Sequence, residues 1–114
     1  MRRVRIAPTA AREIVALLAT TETHFGMAAV ERYRLLIQTA LEDVRSDPAR
    51  PGVRAAEGGP FLTYHLRHSR TRVFGEPVGR PRHLLIFTAN ETLLNLTRVL
   101  HDAMDLPARL TDDA

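Results

Sequence analysis

The sequence predicts an α+β fold of order β-α-α-β-β-β, an antiparallel sheet with a helical hairpin packed on one face. Three observations predict it. The N-terminus carries a short alternating run, with Val4 and Ile6 opposed to Arg3 and Arg5. Two stretches with apolar residues at helical spacing follow, parted by little more than Gly26. The second half then holds three alternating or continuously apolar runs, cut apart by Gly- and Pro-rich segments. Helices grouped together, with strands on either side, mark an α+β arrangement.

Residues 2–7 read as the first strand, closed by Pro8. Thr9 is placed to cap a helix over residues 10–24, although Glu13 stands one position late for a capping box. Ala10, Ile14, Leu17 and Leu18 make its apolar stripe, Phe25 extends it, and Gly26 stops it as a C′ residue. A second helix starts near Met27, with Val30, Tyr33, Ile37, Ala40, Leu41 and Val44 on its apolar face. Glu31–Arg34 and Glu42–Arg45 are i,i+3 ion pairs on its outer side, and Asp47-Pro48 ends it. So short a link makes an antiparallel hairpin. Residues 47–60 hold too many prolines and glycines for helix or central strand and read as a surface loop. Residues 61–67 alternate, with Leu62, Tyr64 and Leu66 on one face. Residues 69–81 are a long loop, and 83–88 a nearly continuous apolar run suited to a strand covered on both faces. The last strand, 92–100, places Leu94, Leu96 and Leu100 on alternate positions. It runs into a polar knot of Arg98, His101, Asp102 and Asp105 around Met104.

One domain over residues 1–110 with a short acidic tail at 111–114 is the expected organisation. A chain of 114 residues buries roughly 65% of the surface its unfolded form exposes, enough for a core without staples. There is no cysteine, which excludes disulfides and thiolate metal sites and suits a reducing cytosol. The N-terminus turns polar at once, unlike a signal peptide, and no apolar run approaches the roughly 20 residues of a membrane span. A cytoplasmic protein with no membrane partner is expected. The net charge is +3, carried by 16 basic residues that are all arginine. Lysine chemistry is therefore excluded, leaving histidine, carboxylates and tyrosine for proton transfer.

Arg67, Arg70, Arg72, Arg80 and Arg82 with His65, His68 and His83 form a basic cluster opposed in sequence only by Glu76. It should gather at one edge of the sheet and attract a phosphate backbone or an acidic protein segment; a solvated arginine-rich loop is the alternative. Aromatics for base stacking are too scarce for a sequence-reading single-strand binder. His65 and His68, three apart on a strand, would face opposite ways and could not share a metal. No metal and no cofactor are expected. His101 with Asp102, Asp105 and Arg98 reads either as an acid–base set or, preferably, as an anchor tying the C-terminal segment to the sheet. Ser46 and Ser69 sit in loop-like contexts and give no nucleophile–base arrangement, and Gly58-Gly59 precedes a strand rather than a helix.

The closing run Arg98-Val99-Leu100-His101-Asp102-Ala103-Met104-Asp105-Leu106 resembles the ending of the RelE/ParE superfamily of toxins from type II toxin–antitoxin systems. Four further pieces fall in register: Ala7-Pro8-Thr9 to Glu13, Phe25-Gly26 with Glu31 to Tyr33, Asp47-Pro48 with Pro51-Gly52, and Pro81 to Phe87. The resemblance implies a toxin held inactive by a cognate antitoxin, and its ending and long paired helices look more like the ParE branch. That branch is known for poisoning DNA gyrase, whereas the RelE branch cleaves messenger RNA on the ribosome. The chain has no lysine and no tyrosine after Tyr64, which weakens the nuclease reading. If it were a ribonuclease, His101, Arg98, Arg67 and Arg82 would carry the reaction. Under the resemblance, Arg67, Arg70, Arg82, His83, Arg98, His101, Met104 and Asp105 are candidate target contacts. Ile14, Leu17, Leu18, Tyr33 and Ile37 are candidate antitoxin contacts. The antitoxin implied is small and acidic, of ribbon-helix-helix type, in a heterotetramer or larger assembly.

Overall fold

The alternating N-terminus does form a strand, but it runs parallel to its neighbour. In the computed structural model, which describes residues 1–103, the order is β1 (Arg3–Ile6), α1 (Pro8–Phe25), α2 (Met27–Ser46), β2 (Arg54–Ala55), β3 (Leu62–His65), a 3-10 helix (Leu66–Arg72), β4 (His83–Ala89) and β5 (Leu93–His101). The sheet order is β1-β5-β4-β3-β2. β3, β4 and β5 make the expected antiparallel meander, and β1 lies parallel along β5, pairing Arg3 with Leu93 through Ile6 with Leu96. The two-residue β2 is an edge strand within the breaker-rich segment read as loop. Residues 104–114, including Met104, Asp105 and the acidic tail, lie outside the described residues.

The helices follow their periodicity, with corrections at the ends. Ala7, not Thr9, is the N-cap of α1: its extended backbone leads into Pro8, whose fixed φ suits the first turn and whose missing N–H costs nothing there. Gly26, at φ 86°, ends α1 and starts α2 in one step, a left-handed conformation that favours glycine. Glu31–Arg34 and Glu42–Arg45 pair as expected. The core-facing stripe of α2 also contains Leu36 and Asp43, neither of which was expected on it. No described helix is long and apolar enough to cross a membrane.

Asp43 is buried because three donors converge on it. Ser69 Oγ donates to it at 2.6 Å, Arg72 Nε at 2.9 Å and Arg50 Nη1 at 3.2 Å, while Tyr64 Oη donates to Ser69 at 2.7 Å. This network pins the 3-10 helix to α2. It also explains why the strand read over 61–67 stops early: His65 accepts the Arg67 N–H through Nδ1 at 3.0 Å, capping the 3-10 turn. His65 and His68 therefore do not alternate along one strand.

The alternation read for the last strand breaks at a β-bulge. Pairing steps from Phe87–Leu96 to Ile86–Arg98, leaving Thr97 as an extra residue. Face parity shifts by one there. Val99 joins Leu94 and Leu96 in the core beneath the helices, and Leu100 turns to the opposite face against Ile86, Phe61 and Leu84. β4 is thus buried on both faces, as its apolar run implied.

Candidate functional site

Histidine, arginine and carboxylate converge where β4 begins and β5 ends, and the register places His83 opposite His101. Tyr33, rising from α2, reaches the same point. Its hydroxyl accepts the Arg82 N–H at 3.2 Å and lies 2.7 Å from His83 Nδ1. In the His83 tautomer protonated on Nε2, the hydroxyl accepts the amide and gives its own proton to Nδ1. Burial first, then the neighbouring His101, pushes the His83 imidazole down to about 4. Burial likewise raises Tyr33 above the usual phenol range. Both are neutral near pH 7.

His101 packs edge-on to His83, ring centroids 5.3 Å apart. Its Nδ1 accepts the Ala103 N–H at 3.1 Å. Asp102, whose Oδ1 lies 3.6 Å from His101 Nδ1, receives Arg82 Nη2 at 2.9 Å and His65 Nε2 at 3.0 Å. The Arg82 guanidinium, followed by the His65 hydrogen bond, holds the Asp102 carboxyl down to about 2. Because His65 spends Nδ1 on the Arg67 N–H, its proton sits on Nε2 and points at Asp102. A second link, between Asp102 N–H and Arg82 C=O at 2.8 Å, closes this end of the sheet.

These groups form one wall of a groove of about 810 Å³. Ala16, Leu17 and Phe25 of α1, with Ala29 and Tyr33 of α2 and Val99 of β5, give it an apolar lining. Arg32, Arg80, Arg82, His83 and His101 also line it. Among the described residues its one carboxylate, Glu13, is already engaged: Arg98 Nη2 donates to it at 2.8 Å, and Val99 N–H at 2.9 Å. Ile6 is the last β1 residue paired with β5, so beyond Leu96 Glu13 supplies the acceptor that a strand would have given.

Of the residues expected to contact a target, Arg82, His83 and His101 come together here. Arg98 pairs with Glu13 of α1 and its side chain is only 12% exposed; its expected partner Asp105 lies outside the described residues. Arg70 donates to Val78 C=O, bracing the segment that forms the groove wall. Arg67 is exposed on the 3-10 helix. The basic cluster is less free than its sequence suggested, since Asp43 takes Arg72 and Asp102 takes Arg82. Leu17, Tyr33 and Ile37, expected as antitoxin contacts, are buried in the chain's own core, and Ile14 and Leu18 are half-buried against it. Only Leu17 and Tyr33 of these five border the groove. Sequence reasoning passed over Glu13, Asp43 and the pairing of His65 with Asp102. The first two had a signal: each is a carboxylate on an otherwise apolar or small-residue helix face, which asks for a cationic partner.

The family profile described as "ParE toxin of type II toxin-antitoxin system, parDE" matches residues 4–106. Among solved structures, the chromosomal ParDE TA system from P. aeruginosa is similar at TM-score 0.66 and 12% identity, covering 89% of this chain and 96% of that one. YafQ from E. coli strain BL21(DE3) is similar at TM-score 0.52 and 13% identity, covering 90% and 96%. At such identities the likeness is one of fold. No curated protein matches the chain.

Proposed function

Because this chain belongs to the ParE toxin family of type II toxin–antitoxin systems, we propose that it is a toxin that stops DNA gyrase by binding. A small acidic antitoxin, of ribbon-helix-helix type, neutralises it. The observation that carries the binding mode is the commitment of the polar groups at the sheet end. Asp102 holds both Arg82 and His65, Tyr33 holds His83 Nδ1, and burial keeps His83 neutral. Groups tied to one another in this way give a fixed, shaped surface and leave little free acid–base capacity. Purified chain added to gyrase is expected to block supercoiling or to trap cleaved DNA near stoichiometric amounts. Gyrase that works normally in stoichiometric excess of the chain overturns the reading.

One observation favours a second reading, cleavage of messenger RNA on the ribosome. His83 and His101 stand ring against ring on a wall that also carries Arg80 and Arg82. His101, with Arg82 and the more distant Arg67 and Arg98, would serve the cleavage. That reading requires cut message in a translating extract, and loss of cutting in a folded His101→Ala variant.

For the antitoxin, the groove offers apolar lining and three arginines, a match for an acidic amphipathic segment. Co-expression of such a partner should restore growth and yield a shared elution peak. A co-expressed partner that neither protects nor co-elutes removes this part of the proposal.

A further inference from the structure

The groove has a candidate occupant within the chain itself. The last described residues stand at its mouth: His101 lines it, and Ala103 N–H is bonded to His101 Nδ1. Residues 104–114 continue from that point, and 107–114 lie beyond the span matched by the family profile. Their composition complements the groove in two respects. Met104, Leu106 and Leu110 match its apolar lining, and Asp105, Asp112 and Asp113 against the single Arg109 match its arginines. Among the described residues, Arg80 has no carboxylate partner, and Arg32 meets only the exposed Glu76 at 3.8 Å. Reach is ample. The groove follows α1 from Glu13 to Phe25, roughly 18 Å at 1.5 Å per residue, while an extended segment from 104 to 114 spans roughly 36 Å.

We propose that the C-terminal segment, residues 104–114, docks in cis into the groove between the helical hairpin and the β4–β5 end, as an acidic amphipathic strap. A partner of the same chemistry then has to displace it, so the strap sets a threshold for capture. The proposal holds whether the target is gyrase or message, and its test involves neither.

The chain has no cysteine, so Ala114→Cys in the full chain gives a single attachment point for a nitroxide label. Amide spectra of the isotope-labelled protein then report which residues the label approaches. The expected result is loss of most peak intensity at Ala16, Thr20, Ala29 and Gly79. Replacing Asp105, Asp112 and Asp113 together by Asn should restore those peaks. Three results overturn the proposal: no local attenuation, attenuation centred instead on Val4 and Val15, or attenuation unchanged by the triple substitution. A fourth is attenuation that passes from spin-labelled to isotope-labelled chains in a mixture, which makes the occupant a second copy.

Discussion

At the scale of single residues, the polar end of the sheet makes the chain sensitive to acid in two steps. His83 titrates at about 4 in the folded chain, below the 6.5 usual for histidine. Above pH 6.5 both folded and unfolded chains hold it neutral, and stability is complete. Between pH 6.5 and 4 the unfolded chain takes up a proton that the folded chain, with His83 against Tyr33 and His101, refuses; stability falls. Asp102 behaves separately. Its folded value, about 2, lies below the ordinary 3.8, so its contribution is present above pH 3.8 and is lost as pH falls toward 2. Urea midpoints measured across pH should therefore decline through both windows. His83→Gln is expected to flatten the upper window and leave the lower one. An unchanged upper window in that variant would assign the acid sensitivity elsewhere. Sequence reading found His83 and His101 but not their wiring, because the Tyr33 hydroxyl that orients His83 lies 50 residues away.

At the scale of elements, the sharpest dependence is on Asp43. Removing its carboxylate by Asp43→Ala leaves Arg50 and Arg72 without their anion and Ser69 without its acceptor. The expected cost is about 3–5 kcal/mol, typical of a buried ion pair broken on one side. Denaturant unfolding reads it directly, and a loss under about 1 kcal/mol would mean the network is strongly solvated. The helices were legible because a 3.6-residue period persists through many side chains and Gly26 interrupts it sharply. Asp43 was legible only as an anomaly, a charge on the track of Leu36, Ala40 and Val44. The bulge at Thr97 left no such trace. Leu94, Leu96 and Leu100 alternate perfectly on paper, and only the pairing with β4 shows that Val99, not Leu100, faces the helices. The 3-10 turn after β3 was hidden in the same way, since Leu66 continues the apolar alternation while His65 caps a turn.

At the scale of the whole molecule, the proposed capture of an antitoxin rests on a groove that joins both helices, the segment before β4 and the end of β5. Arg80 is the informative position there. It is exposed and, among the described residues, has no ion-pair partner. Arg80→Glu should leave stability within about 0.5 kcal/mol, as surface changes usually do. It should nevertheless weaken antitoxin capture, with less salt dependence than the parent. Calorimetric titration at two ionic strengths reads both effects, with Asp105, Asp112 and Asp113 replaced by Asn in both parent and variant so that the C-terminal segment does not compete. Unchanged affinity would place the antitoxin away from this wall.

The sequence by itself determined the class of fold, the order of its elements and the family resemblance, because periodicity, breakers and short motifs are local. It also supplied most of the polar residues at the sheet end. Tertiary structure alone decided that β1 lies parallel at the edge, that Arg98 meets Glu13 of the first helix, and that Asp102 gathers His65 and Arg82. It also took Leu17, Tyr33 and Ile37 into the core, with Leu17 and Tyr33 still bordering the groove. The reason is physical. Which cation an acid meets, and which face of a strand is buried, depend on strand register and helix packing between residues far apart in sequence. A one-residue bulge is enough to change both.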